Sequence, residues 1–229
     1  MVVHGGLWLE TYGCDLMHSV CADLAGRGWL AWNLEYRRVG SAWSGGGWPA
    51  TLADVAAGID HLVDLPDLAD PGRVVVLGHS AGAQLAMWAA ARPHLLDGVP
   101  GARPRVKLRA AVSLAGILDL TTAADDRRSV IGTGVVKFLG GRPEEVADRY
   151  AHASPVEHLP LGIPQLVVHG GRDGTIPVDQ STEYARRAEE AGDPVELAIV
   201  AEASHMDLVD PRSPAWVVVA DWLARLPVM

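Results

Sequence analysis

A single α/β domain with a mostly parallel sheet of about six strands is predicted by three observations. Short apolar runs alternate along the chain with amphipathic stretches of helical spacing. Several of those runs are apolar throughout, as strands buried on both faces are. The chain has 229 residues, 49% hydrophobic and 21% charged, an ordinary globular composition. A chain of this length buries roughly 70–75% of its unfolded surface, so its core needs no disulfide staples.

The strands are expected at residues 1–3, 29–34, 74–77, 110–114, 166–168 and 195–200. Between the first two, residues 15–25 place Leu16, Val20, Cys21 and Leu24 on one helical face, and Gly26 and Gly28 stop the helix. Thr51 with Asp54 three positions on reads as a capping box opening a helix through Val55, Ile59 and Leu62. Further helices are expected at 82–91, 178–191 and 214–226. Two stretches break the rhythm: 37–49, with Gly45, Gly46 and Gly47, and 121–160, which is long and only weakly periodic. Insertions of that length between core elements serve as lids or binding loops, so 121–160 is expected to form a small cap within one domain spanning 1–229.

Nineteen Lys and Arg against 28 Asp and Glu give a net charge of −9. Such a surface repels phosphate backbones and anionic headgroups, which disfavours nucleic acid and membrane partners and leaves a small-molecule substrate as the expected ligand. The amino terminus has no basic segment followed by an apolar one, and no run of 18 apolar residues occurs, so a cytoplasmic protein is expected. Cys14 and Cys21 lie seven residues apart on the first expected helix, about 10 Å by helical rise. That is too far for a disulfide, and two buried thiols are expected.

Gly78-His79-Ser80-Ala81-Gly82 follows an apolar strand and opens an Ala-rich helix, the strand–turn–helix context that a Gly-x-Ser-x-Gly nucleophile requires. The glycines answer crowding, because the serine occupies a sharp turn against a neighbouring strand and helix. The competing reading is a glycine-rich turn with a capping serine. A serine hydroxyl needs a base, itself oriented by an acid, and in this arrangement acid and base follow in that order. Asp173 stands in the loop after the 166–168 strand and His205 in the loop after the last one, so all three side chains leave carboxyl ends of parallel strands. Asp119, after the 110–114 strand, is the rival acid; Asp207 and Asp210 are too close in sequence to His205 to approach it easily from the far side. His18, His61, His94, His152 and His158 lack strand-end placement. No histidine pair has metalloprotease spacing, so neither a metal nor another cofactor is expected.

An acyl-transfer site must also hold a developing oxyanion. The Ala81 amide is one candidate donor, and the Gly6 or Leu7 amide, in His4-Gly5-Gly6-Leu7-Trp8, the other. The substrate pocket is assigned to Trp8, His4, His79, Trp43 and Trp48, the tryptophans being equally readable as packing aromatics. Val-Val-His-Gly-Gly occurs twice, at 2–6 and at 167–171; both copies end strands and are read as separate uses of small residues at strand exits.

The His-Gly-Gly-x-Trp motif at His4, Glu35-Tyr36-Arg37, Gly47-Trp48-Pro49, the Ser80 turn, the His-Gly-x-x-Asp stretch at Asp173 and Ser204-His205 together resemble the α/β-hydrolase superfamily. Within it they are similar to the branch of kynurenine formamidases and small esterases, with prolyl-oligopeptidase and feruloyl-esterase-like relatives sharing the later motifs. The resemblance runs the length of the chain and implies a Ser80, Asp173, His205 triad. It also implies two strands ahead of the His-Gly-Gly strand. Here that motif begins at residue 4, so the sheet is expected to lack them, leaving the 29–34 strand with an open outer edge through which the chain is expected to dimerise or aggregate. The expected activity is a serine hydrolase cleaving a small carboxylic ester or an aryl or N-formyl amide through an acyl-enzyme. The alternatives are a prolyl-oligopeptidase-like peptidase and a non-catalytic hydrolase-like binding protein.

Overall fold

Six strands, all parallel, form one sheet in the computed structural model, which describes residues 1–40, 44–125 and 129–226. They are β1 (Val2–Val3), β2 (Asn33–Leu34), β3 (Val75–His79), β4 (Ala110–Leu114), β5 (Gln165–Gly170) and β6 (Val195–Val200), in the order β2-β1-β3-β4-β5-β6. Alternate residues feed two cores. Val3, Val76, Ala111 and Val167 face one layer and Val2, Leu77, Val112, Leu166 and Val168 the other, which is why these strands read as unbroken apolar runs.

The helices are α1 (His18–Gly26), α2 (Ala50–Asp60), α3 (Ala81–Ala91), α4 (Leu120–Asp125), α5 (Val130–Leu139), α6 (Ala147–Ala153), α7 (Asp179–Glu190) and α8 (Pro214–Arg225). Helices α1 and α8 cover one face of the sheet, and α2, α3 and α7 the other. Helix α3 is buried along its whole length, so its small side chains let it lie close against β3 and β4. The 121–160 stretch folds into most of α4, α5, α6 and the 3-10 turn Pro155–His158. Ser129 caps α5 by accepting from the Gly132 amide, and Gly140, at φ 75°, ends it.

Three expectations change. The 29–34 strand shortens to Asn33–Leu34, because β1 offers only Val2 and Val3 to pair with; this strand is the terminal one of the sheet. Thr51 is not a cap: it lies inside α2, its hydroxyl donating to the Arg37 carbonyl and accepting from the Gly47 amide, while Asp54 receives the Arg37 guanidinium. Cys14 and Cys21 are free thiols, but half-buried rather than buried, since Cys14 opens a 3-10 turn ahead of α1. The far edge of the sheet, β6, exposes Leu197 and Ile199. No helix among the described residues is long and apolar enough to cross a membrane.

Candidate active site

The turn between β3 and α3 holds Ser80 at φ 57° and ψ −122°, a conformation that costs an ordinary residue about 1–3 kcal/mol. Its surroundings enforce it. The Ser80 amide donates to the Leu114 carbonyl at 2.8 Å, and a Cβ at Gly78 would overlap the Gly82 backbone, while one at Gly82 would overlap the carbonyls of Val3 and His4. Both glycines are therefore required by close backbone approach. Among the described residues the Ser80 hydroxyl makes no hydrogen bond.

Two loops at neighbouring strand ends carry the other polar side chains. His205 Nδ1 donates to Asp173 Oδ2 at 2.7 Å, and Asp173 Oδ1 accepts the amides of Thr175 at 2.8 Å and Ile176 at 2.9 Å. Burial alone would raise the Asp173 carboxyl; the His205 ring and the two amides outweigh it and hold the group below the usual carboxylate range. The carboxylate is thus ionised at neutral pH, and it fixes the His205 tautomer with Nε2 unprotonated. Asp119, the rival acid, accepts instead from the amides of Thr121 and Thr122 at the start of α4. Asp207 accepts the Ser204 amide and hydroxyl and so braces the loop that carries His205.

After β1 the chain passes through three left-handed residues in succession, Gly6 at φ 105°, Leu7 at 52° and Trp8 at 57°. Among the described residues the amides of Gly6, Leu7 and Ala81 donate to no protein acceptor. Trp8 is not a pocket wall. It is wholly buried, stacked on Phe138 of α5 at 4.5 Å between centroids, with its indole N–H donating to Gln84 Oε1. His4 is equally buried, stacked on Tyr36 with Nε2 3.0 Å from Glu35 Oε1, and so is also removed from any pocket. His79 is buried against His205. Trp48 is half-buried, edge-on to His152 of α6, and Trp43 lies outside the described residues.

The BD-FAE family model matches residues 1–187. The chain belongs to the BD-FAE family. This BD-FAE member is 26% identical over 198 residues to "Esterase LipQ" of Mycobacterium tuberculosis (strain ATCC 25618 / H37Rv), a match covering 83% of the chain and 45% of that protein. The chain therefore spans about half the length of the curated relatives it matches. Among solved structures it resembles a bifunctional GH43-CE protein of Bacteroides eggerthii, with TM-score 0.81, 20% identity and coverage of 98% of the chain and 31% of the other. It also resembles the thermophilic esterase Est2 of the Planctomycetes species Thermogutta terrifontis, with TM-score 0.73, 21% identity and coverage of 97% and 78%. These likenesses establish the α/β-hydrolase fold.

Two buried polar groups in this BD-FAE chain escape sequence reasoning. His169, in the second Val-Val-His-Gly-Gly, donates from Nε2 to the Ile176 carbonyl at 3.0 Å, with Asp173 Oδ2 at 3.4 Å, and accepts at Nδ1 from the Ser181 hydroxyl of α7 at 2.7 Å. Burial lowers its pKa, so the ring is a neutral brace behind the acid. Gln84 sits on α3 and joins Trp8 to the Ala153 carbonyl. The repeated pentapeptide was a signal for His169; nothing in the sequence marks Gln84.

Proposed function

We propose that this chain is a serine hydrolase that cleaves a small carboxylic ester through an acyl-enzyme on Ser80. The observation carrying the reading is the 2.7 Å hydrogen bond between His205 and Asp173, made by a histidine whose ring also packs on His79, next to Ser80. His205 Nε2 takes the Ser80 proton as Oγ attacks the ester carbonyl. The negative charge developing on the carbonyl oxygen meets the Ala81 amide and that of Gly6 or Leu7. His205 then gives its proton to the departing alcohol; water, deprotonated by the same nitrogen, attacks the acyl carbonyl, the acyl–Oγ bond breaks to release the acid, and the proton returns from His205 to Ser80 Oγ. Esters are favoured over N-formyl aryl amides because the relatives bear esterase names, and because the tryptophan of His-Gly-Gly-x-Trp is here a core residue that cannot grip an aryl group.

A fluorophosphonate should add once per chain, at Ser80, and p-nitrophenyl esters of short acids should turn over faster than N-formylkynurenine. Peptide mapping that finds the adduct on another residue, or none on the folded protein, would overturn the mechanism; the reverse substrate preference would overturn the ester assignment.

A further inference from the structure

We propose that His79 is a positioning residue that sets the separation of the nucleophile from its base, bridging the oxyanion loop on one side and the His205 backbone on the other. The inference rests on the serine hydrolase reading and adds to it a role for the residue preceding Ser80.

His79 is buried, and its Nε2–H donates to the backbone carbonyl of His205 at 3.0 Å, a contact between residues 126 positions apart. The two rings lie 4.4 Å apart between centroids, tilted by 45°. On its opposite edge the ring meets the oxyanion loop: a Cβ at Gly5 would stand 3.2 Å from His79 Nδ1 and 2.8 Å from its carbonyl, so Gly5 is bare where the ring passes. One imidazole thus fills the space beside Gly5, ahead of the oxyanion amides, and bonds the loop carrying the base, and its own backbone continues into Ser80. His205 is held at two points, its ring by Asp173 and its carbonyl by His79. Among the described residues the Ser80 hydroxyl bonds to neither, so the hydrogen bond joining the nucleophile turn to the base loop is the one His79 makes.

Protonation chemistry suits this role. When His205 accepts the serine proton, a cation forms against the His79 ring, and a second cation there would oppose it. Burial, reinforced by the neighbouring His205 ring, pushes His79 down to about 3, with the hydrogen bond to the His205 carbonyl and then Asp173 pulling the other way and His169 adding slightly to the depression. His79 therefore stays neutral at neutral pH, with its proton on Nε2.

The test compares wild type, His79→Phe and His79→Gln. Phenylalanine keeps a ring and loses the N–H; glutamine keeps a donor. With p-nitrophenyl acetate, His79→Phe should lose about 10- to 100-fold in kcat with KM within about 3-fold, and fluorophosphonate labelling of Ser80 should slow by the same factor. His79→Gln should recover to within about 5-fold of wild type. Folded His79→Phe with wild-type labelling, or folded His79→Gln no better than His79→Phe, overturns the inference. Nitrogen NMR of the folded wild type, with the His79 ring assigned through its own backbone resonances, decides independently of whether His79→Phe folds. A ring protonated on Nε2 that does not titrate between pH 4 and 8 should be present and should be the signal missing from His79→Gln, whereas proton occupancy on Nδ1 or titration in that range overturns the proposal. Wild type that never labels at Ser80 removes the hydrolase reading itself, a failure separate from either of these.

Discussion

The same five residues, Val-Val-His-Gly-Gly, end β1 and β5, and the two copies have opposite local consequences. In the first, the strand stops after Val3 and the chain turns left-handed through Gly6, Leu7 and Trp8, leaving amides unpaired. In the second, the ladder continues to Gly170, and the two glycines let the Asp173 loop lie flat on the His205 loop. A Cβ at Gly170 would overlap the Ala203 carbonyl and one at Gly171 the Ala201 carbonyl. Main-chain bonds lace those loops, Gly171 N–H to the Val200 carbonyl at 2.8 Å and Arg172 N–H to the Ala203 carbonyl at 2.9 Å. Both histidines are buried and both reach into a following element, His4 to Glu35 beyond β2 and His169 to Ser181 on α7. The pentapeptide is thus a strand-exit device in which histidine anchors and glycine permits approach. On the proposed mechanism the two copies differ through what comes next, Leu7-Trp8 in one and Arg172-Asp173 in the other.

The comparison breaks most sharply at the carboxylates. Asp173→Asn should lower kcat by about 10²- to 10⁴-fold with the fold intact, because the imidazole loses its orientation. Glu35→Gln, removing the carboxylate that serves the first copy, should cost less than about 10-fold, since the ring Glu35 holds makes no hydrogen bond to Ser80 or His205 among the described residues; equal losses on steady-state kinetics would erase the distinction. The glycines come next. Gly6→Ala forces a side chain onto φ 105°, displaces the oxyanion amides and should cost about 10- to 100-fold in kcat with a modest change in Tm. Gly170→Ala drives a methyl into backbone and should destabilise by about 1–3 kcal/mol, visible as a Tm loss of about 3–10 °C. Ser181→Ala strips the donor from buried His169 Nδ1, for about 1–2 kcal/mol of stability and less than about 10-fold in kcat.

The smallest effect is the pH dependence of stability. Asp173 and Glu35 both have folded pKa values below their ordinary ones, the burial penalty on Glu35 being outweighed by the Cys14 amide, His4 and the Tyr36 amide. A depressed carboxylate binds fewer protons folded than unfolded, so its contribution is complete above the unfolded value and disappears as pH falls through the folded one. Chemical denaturation between pH 6 and pH 2.5 should show stability falling below about pH 4, with Asp173→Asn flattening the fall more than Glu35→Gln because Asp173 is buried and Glu35 is partly exposed.

Legibility in the sequence followed burial. Strands β3, β4 and β5 were readable to within two residues because both of their faces are apolar, and β6 could be placed by its position between α7 and the loop of His205. Strand β2 was overdrawn because its extent depends on its partner β1, which no local pattern reports. Helices α4 to α6 were hard to delimit because they pack on loops as much as on the sheet: Gly134 faces Leu7, and the Phe138 carbonyl accepts the Trp48 amide. At the site, Ser80, Asp173 and His205 could each be assigned to a strand exit. The orientation of His79, His4 and Trp8 could not, because it depends on groups 76 to 126 positions away for two of the three: Gln84 for Trp8 and His205 for His79.

Gln84 spends both ends of its amide at once, its oxygen on the indole of Trp8 and its nitrogen on the Ala153 carbonyl, from inside a helix that is buried throughout. The residues that would shape the oxyanion hole and the last turn of α6 are thereby clamped to a common post. A lid hinged there would have to strand two buried polar groups each time it opened, at a cost set by unpaired amides in a dry interior. Opening of the chain at the end of α6 is therefore disfavoured. In hydrogen exchange the Trp8 indole proton should be among the slowest in the chain, reporting on global unfolding rather than on the opening of a gate.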